Sequence, residues 1–172
     1  MVDGNNHPVW NLYDEFRTAR LNVKCIQDEL RYWTRISDIF EIVIAFGSTT
    51  SIGGFWFFQS WIGGYLWKTL GTAAVIFTIV RRVYKVPDRV RLREDLLFRY
   101  KILEHDFQSL VIEVNQRQAY DRYCKMEFKK LMKKKSEMEN HSKGFHPSDR
   151  LIDKCEKEVE KELPGSSFFI PD

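Results

Sequence analysis

The sequence has few of the features that mark enzymes or disulfide-rich proteins. Its three cysteines, Cys25, Cys124 and Cys155, are an odd number without CxxC spacing. This argues against a disulfide scaffold or a zinc ribbon and favours a reducing compartment. There is no GxGxxG, P-loop, HExxH or GxSxG motif, and the four histidines lack metal-ligand spacing. We therefore predict no catalytic residue, no metal site and no enzyme.

Charge is absent from one long stretch and dense elsewhere. The chain has 27 Lys and Arg against 24 Asp and Glu, which gives a net charge of +3. None of these residues lies within the 26 positions of 42–67. Such separation is typical of a membrane protein with water-exposed helices, and the polar first 35 residues do not resemble a signal peptide.

The apolar stretch predicts two transmembrane helices, at 36–58 and 62–80, joined as a tight hairpin. At 1.5 Å per residue, both helices are long enough for a hydrocarbon core of about 30 Å. Basic residues lie before the first span and after the second, so both termini are expected in the cytoplasm. The sequence thus predicts a multi-pass membrane protein, and the alternative is a helical hairpin buried in a soluble core.

Several residues inside the predicted spans are small or charged. The candidates for a membrane path or for close helix packing are Gly47, Thr50, Ser51, Gly54 and Lys68. Lys68 could extend to the outer headgroups or face other subunits along a polar path. Glu41 is level with the end of the returning helix, so an ion pair with Arg81 or Arg82 is expected. The small residues suggest close neighbours and therefore a homo-oligomer.

Two narrow apolar seams flank the hairpin. The first has spacings of 4-3-4-3-4-3 and the second has spacings of 4-3-4-3-4, both typical of coiled-coil helices. Their residues are Leu12, Phe16, Ala19, Val23, Ile26, Leu30 and Trp33, and then Leu96, Tyr100, Leu103, Phe107, Leu110 and Val114. They could pack together within one chain or zip between subunits.

These patterns predict an all-α fold, a two-span transmembrane hairpin continued by cytoplasmic coiled-coil-like helices. The expected parts are an N-terminal helix (1–35), the hairpin (36–80), a helical region that packs on the first helix (81–140), and a loop, short helix and tail (141–172). Helical structure is expected to continue to about Glu139, and the last helix to open at Pro147 and stop at Pro164. Pro87 either restarts a helix or acts as a hinge.

Arginines dominate the segments near the hairpin. The candidate ligand-binding or anionic-lipid-binding residues are Arg17, Arg20, Arg81, Arg82, Arg89, Arg91 and Arg93. They could set topology and hold anionic lipid, or hold a phosphate-bearing ligand between subunits by bidentate hydrogen bonds. No basic face is interleaved with stacking aromatics, so extended nucleic acid is not expected as a partner.

The order of these parts resembles the SLATT family of two-transmembrane bacterial effectors. The resemblance covers 11–163 and rests on the segments YDEFRTARLNVKCIQDELRYWTRISDIFE, GGFWFFQSWIGGYLWK and IVRRVYKVPDRVRLREDLLFRYKIL. It implies a pore-forming or membrane-disrupting effector of antiphage defence, controlled by a cyclic oligonucleotide or by a nucleotide-sensing partner protein. The family is defined by architecture, so the resemblance implies no ligand site.

Together, the residues and the resemblance predict an oligomeric effector that permeabilises or depolarises the inner membrane. The lipid bilayer and further copies of the chain are its expected partners. The alternative is a membrane-anchored coiled-coil scaffold that recruits a cytoplasmic partner and forms no pore. Harmless expression in bacteria would favour the scaffold over the effector.

Overall fold

The computed structural model describes residues 7–57, 61–141 and 147–169, apart from the side chains of 46–57, 61–68, 70, 140, 141 and 167. The described ranges contain five helices and no strand, which confirms the all-α prediction. The helices are α1 (Val9–Phe57), α2 (Trp61–Val83), α3 (Val86–Arg117), α4 (Arg122–His141) and α5 (Asp149–Glu162). A short 3-10 turn, Gly165–Ser167, follows α5.

The chain divides into two compact units. One comprises Met1–Glu29 and Glu94–Asp172 and is called the bundle below; the other, Leu30–Arg93, is called the hairpin. The first 21 residues of α1, the larger part of α3, and all of α4 and α5 belong to the bundle. The four parts suggested from the sequence stay a prediction.

The bundle is built on the two heptad-spaced seams. Five residues of the first seam, from Leu12 to Ile26, and all six of the second are buried in one apolar cluster of this chain. Because i, i+3 and i+4 positions share a helix face, this spacing gives each helix a continuous apolar stripe. Cys124 and Met138 of α4 join the same cluster. The seams therefore meet within the chain.

A turn separates α3 from α4, where the sequence predicted continuous helix. Gln118 has a φ of 52°, a left-handed conformation that interrupts the helical path. Asp121 then accepts a hydrogen bond from the backbone N–H of Cys124, with the nitrogen and oxygen 2.9 Å apart. This is the pattern of a helix N-cap, in which a side-chain oxygen satisfies an unpaired amide. Helical structure thus continues to His141, close to the predicted end at Glu139, but the break between α3 and α4 was not predicted.

The C-terminal segment packs on the start of α1. Helix α5 begins after Ser148 and ends before Pro164, as the sequence predicted. Beyond it, the Phe168 ring stacks on Tyr13 at a centroid distance of 4.4 Å and an interplanar angle of 18°. The Tyr13 hydroxyl donates a hydrogen bond to the Phe169 carbonyl, at 2.5 Å. Aromatic and polar contacts thus fix the apolar tail within its own chain.

In the hairpin, α1 and α2 run antiparallel. Phe40 contacts Phe77 edge-on at a centroid distance of 5.3 Å, and Arg81 Nη2 lies 2.7 Å from Glu41 Oε1. The ion pair expected between Glu41 and Arg81 or Arg82 is therefore present, with Arg81. Helix α2 ends at Val83.

The location predicted from the sequence was wrong. Among the described residues, no helix combines the length and the apolar content that crossing a bilayer requires. The helices of the hairpin carry charged and hydroxyl side chains along their described lengths, among them Asp38, Glu41, Thr72, Thr78 and Arg81. Each such residue lowers the apolar content of a candidate span. The prediction of a multi-pass inner-membrane protein is corrected accordingly.

Two phenylalanines of α3 provide a matched test of the bundle core. Phe107 is fully buried, whereas Phe98 is 65% exposed. We expect Phe107→Ala to lower the free energy of unfolding by about 3–5 kcal/mol, because it removes a buried ring and leaves a cavity. Phe98→Ala should change it by less than about 0.5 kcal/mol. Urea unfolding followed by circular dichroism measures both, and equal effects would contradict the core described here.

Candidate functional site

Two of the candidate arginines meet at one aromatic ring in the hairpin. The guanidinium carbons of Arg89 and Arg93 lie 4.9 and 5.7 Å from the centroid of the Trp33 ring. The arginines are one turn apart on α3, so both reach the same region. Arg89 forms no ion pair with a carboxylate in the described part of the chain. Two guanidinium groups on one indole concentrate positive charge and offer several N–H donors to an anion.

Other candidate arginines are neutralised by carboxylates. Arg20 Nη1 lies 2.5 Å from Glu104 Oε1, and its Nη2 lies 3.1 Å from Glu162 Oε2. Glu104 is the buried charged residue of the described core, so Arg20 compensates a charge that would otherwise be costly to bury. Arg81 is engaged by Glu41. These two arginines serve structure in this arrangement.

Arg17 lines a cavity of about 280 Å³ between α1 and α5. Asp14, Glu156 and Glu160 line the same cavity. Three carboxylates beside one guanidinium make this a poor place for a phosphate, because like charges repel.

The remaining candidates do not gather into a site. Arg82 and Arg91 are exposed. Pro87 is the second residue of α3, directly after a break at Tyr84 and Lys85, where Lys85 has a φ of 47°. This position suits a helix restart, and the role of Pro87 as a hinge stays a prediction. The side chains of Gly47, Thr50, Ser51, Gly54 and Lys68 lie outside the described residues.

The hairpin exposes apolar side chains that sequence reasoning had assigned to lipid. On α2, Thr72, Ile76, Ile79 and Val83 follow a 4-3-4 spacing, and all four are exposed. The three aliphatic residues of this set are each more than half exposed. On α1, Ile39 and Ile42 are exposed in the same way. We call these five aliphatic residues, Ile39, Ile42, Ile76, Ile79 and Val83, the outer seam.

The described part of the hairpin has almost no buried apolar residues beneath the outer seam. Where hairpin side chains are described, Val86 is the one apolar residue that is buried. Gly71, also exposed, has open space where a Cβ would stand, so packing within the described chain does not require a glycine there. An exposed apolar helix face of this kind is typical of an interaction surface.

Helix α5 is attached to α1 by a ladder of ion pairs. Lys24 Nζ lies 2.6 Å from Glu162 Oε1 and 3.3 Å from Glu158 Oε2. The hydrogen bond from Lys24 is the main cause that lowers the pKa of Glu162 from its ordinary value of 4.5; partial burial opposes this effect and Arg20 adds to it. The ionised carboxylate is therefore the form that holds α5.

This linkage predicts an acid-sensitive contact. Because the pKa of Glu162 is lowered by folding, its contribution to stability is fully present above pH 4.5 and is lost as the pH falls through the folded value. Glu162→Gln should lower the free energy of unfolding by about 0.5–1 kcal/mol at about pH 6. The difference from the wild type should be smaller at about pH 4 than at about pH 6, because the carboxylate becomes protonated as the pH falls below 4.5.

Urea unfolding at the two pH values measures this difference. Glu160→Gln is the matched control, because Glu160 is an exposed carboxylate on the same helix without an ion pair among the described residues. A pH-independent effect of Glu162→Gln would contradict the linkage.

Sequence reasoning missed Trp33 and Glu104 as functional or structural partners of arginine. Trp33 was predicted as the last residue of the first seam, and its spacing from Arg89 along the chain gave no signal of their contact. Glu104 occupies the position directly after Leu103 of the second seam. A carboxylate beside an apolar stripe was the available signal for a buried ion pair.

Compared with known protein families, curated proteins and solved structures, the chain matches none of them. The resemblance to the SLATT family therefore stays a prediction.

Proposed function

We propose that this protein is a non-enzymatic helical scaffold whose copies assemble through the outer seam of the hairpin. The exposed aliphatic residues of that seam are the observation that carries the proposal. Burying apolar surface stabilises association by about 25 cal/mol per Å². The five side chains of the outer seam do not gain this stabilisation while they are exposed to water. They gain it when assembly buries them.

The spacing of the seam indicates that a helix covers it. The 3-4 spacing of the α2 residues of the seam places these side chains along one line of the helix, where they can insert between residues of a facing helix. The β-branched Ile76, Ile79 and Val83 are rigid at χ1, so they lose little side-chain entropy when they pack. An elongated helical partner fits this line better than a small molecule does.

A second copy of the chain is the simplest source of that helix. Most oligomers are homo-oligomers with closed symmetry, in which the same patch of each subunit meets its equivalent. Aliphatic side chains are compatible with such pairing, because no charge complementarity is needed. The outer seam of one copy can therefore bind the outer seam of a second copy.

A charge placed in the outer seam tests the proposal. For the full-length wild type, we expect sedimentation velocity to give a mass that is a multiple of 20.5 kDa. Ile79→Glu should raise the dissociation constant at least about tenfold, because a carboxylate would be desolvated at the contact. Ile112→Glu is the matched control, since Ile112 is also exposed but lies in the bundle.

Three outcomes would overturn the scaffold. One is a wild-type protein that is monomeric at every concentration, and another is equal dissociation by both variants. The third is a monomer that floats with lipid vesicles, which would show that lipid covers the seam. Release of a trapped dye from such vesicles would favour the permeabilising effector, which stays a prediction from resemblance.

We propose, as a second function, that the Arg89–Trp33–Arg93 cluster binds a phosphate-bearing ligand such as a cyclic oligonucleotide. The two guanidinium groups on one ring support it. A phosphate near them would accept charge-assisted hydrogen bonds. The same ligand class was expected from the sequence for these arginines.

Calorimetric titration with inorganic phosphate and a panel of cyclic dinucleotides tests this second function. We expect Arg89→Gln to weaken binding about tenfold, because charge-assisted hydrogen bonds contribute roughly 1.5–3 kcal/mol. Arg91→Gln should bind as the wild type does, since the exposed Arg91 is not over Trp33. Absence of binding by the wild type, or equal loss in both variants, would contradict the site.

A further inference from the structure

The contact between α1 and α5 has a regular register. Its ion pairs join Arg20 to Glu162, Lys24 to Glu158, and Asp28 to Lys154, at 3.1, 3.3 and 2.6 Å. The positions advance by four residues along α1 while they fall by four along α5. Four residues are close to one helical turn, so the two helices run antiparallel with one ion pair per turn. This register determines which residues of α1 and α5 lie near each other between the ion pairs.

In this register Cys25 and Cys155 lie two positions apart, which is about 3 Å along the helix axes. Cys25 directly follows Lys24 in the sequence, and Cys155 directly follows Lys154, so each cysteine is adjacent to a residue of an ion pair. Both side chains are buried, and the Cys155 thiol is close enough to contribute to the raised pKa of Cys25. The third cysteine, Cys124, is at the start of α4, where its neighbour is Asp121. The ladder therefore holds two specific thiols together and leaves the third apart.

We infer that Cys25 and Cys155 form a dithiol site that a small-molecule disulfide, such as oxidised glutathione, converts into an intramolecular disulfide between α1 and α5. In the first step one cysteine thiolate attacks the oxidant, forming a mixed disulfide and releasing one glutathione thiol. The second cysteine then attacks the protein sulfur of that mixed disulfide and releases the second glutathione thiol. The two protein thiols lose two electrons and two protons, and the oxidant gains them.

Burial makes this site slow to react while α5 is docked. Desolvation is the main cause that raises the pKa of Cys25 to about 12, and the Cys155 thiol adds to it. Since the thiolate is the nucleophile, the docked thiol is nearly inert near neutral pH. Reaction requires α5 to open, and each of the three ion pairs of the register has at least one exposed partner. The site thus reacts at the rate at which α5 opens and then prevents further opening.

The bond would determine whether the C-terminal segment can leave the bundle. Val159 is the other buried residue of α5 besides Cys155. Downstream, the tail contributes the stack of Phe168 on Tyr13. In the dithiol form these contacts can separate together, whereas the disulfide keeps α5 tethered to α1. The chemistry applies to the single chain and does not depend on the scaffold proposal.

Disulfide mapping of the full-length protein tests the inference. The reduced wild type is incubated with oxidised glutathione, free thiols are blocked, and the digest is analysed by mass spectrometry without reduction. We expect one linked pair of peptides containing Cys25 and Cys155, with a protein mass lower by two hydrogen atoms. Hydrogen exchange of the α5 amides should slow at least about tenfold in the oxidised protein, because local opening is restricted.

Cysteine variants provide the matched controls. Cys124→Ser should form the same link, whereas Cys25→Ser and Cys155→Ser should form none. The mapping of the wild type decides the question even where a variant fails to fold. A link that includes Cys124, a stable glutathione adduct without an internal bond, or unchanged exchange in α5 would overturn the inference.

Discussion

The packing of α1 against α3 in the bundle is the constraint on which the rest of that unit depends. Their seams meet only because two stretches far apart in the chain share the same heptad spacing, which gives each helix a straight apolar stripe. Leu12 and Leu103 are fully buried in that contact. Once it forms, the turn at Gln118 lets α4 return over the same cluster, and Phe128 packs against its edge. Burial of these side chains supplies most of the favourable free energy of such a unit.

The hairpin also has apolar residues at helical spacing, but they stay exposed, whereas those of the bundle are buried. Its inner contacts, Phe40 with Phe77 and Glu41 with Arg81, hold two helices together. Two helices can shield only one face of each other, so the residues on the far side stay in water. Ile76 and Ile79 are on that far side, whereas Leu103 of the bundle is covered by its own chain. A helix pair with an uncovered seam is incomplete as a folding unit, and this is the physical basis of the proposed assembly.

Helix type and the core seams could be predicted from the sequence because they depend on local periodicity. The start and stop of α5 were also predictable, since proline and a capping residue act within one turn. The break at Gln118 was missed, although the Asp121 cap gave a local signal for it. Placement of the hairpin in a bilayer was wrong, because an uncharged stretch does not by itself provide the apolar content of a span. Contacts such as Arg89 with Trp33, or Cys25 with Cys155, depend on tertiary register, which one sequence does not reveal.

Two helix contacts of the bundle, α1 with α3 and α1 with α5, depend on different kinds of interaction. The α1–α3 contact is mainly apolar, with one ion pair between Arg20 and the buried Glu104. The α5 contact depends on carboxylates such as Glu162 and on two thiols, so proton and electron exchange both act on it. Each exposed ion pair contributes little, and several in a row hold a helix that can still open. Chemical sensitivity is therefore greatest in the C-terminal segment, while the core that positions it depends mainly on the burial of apolar side chains.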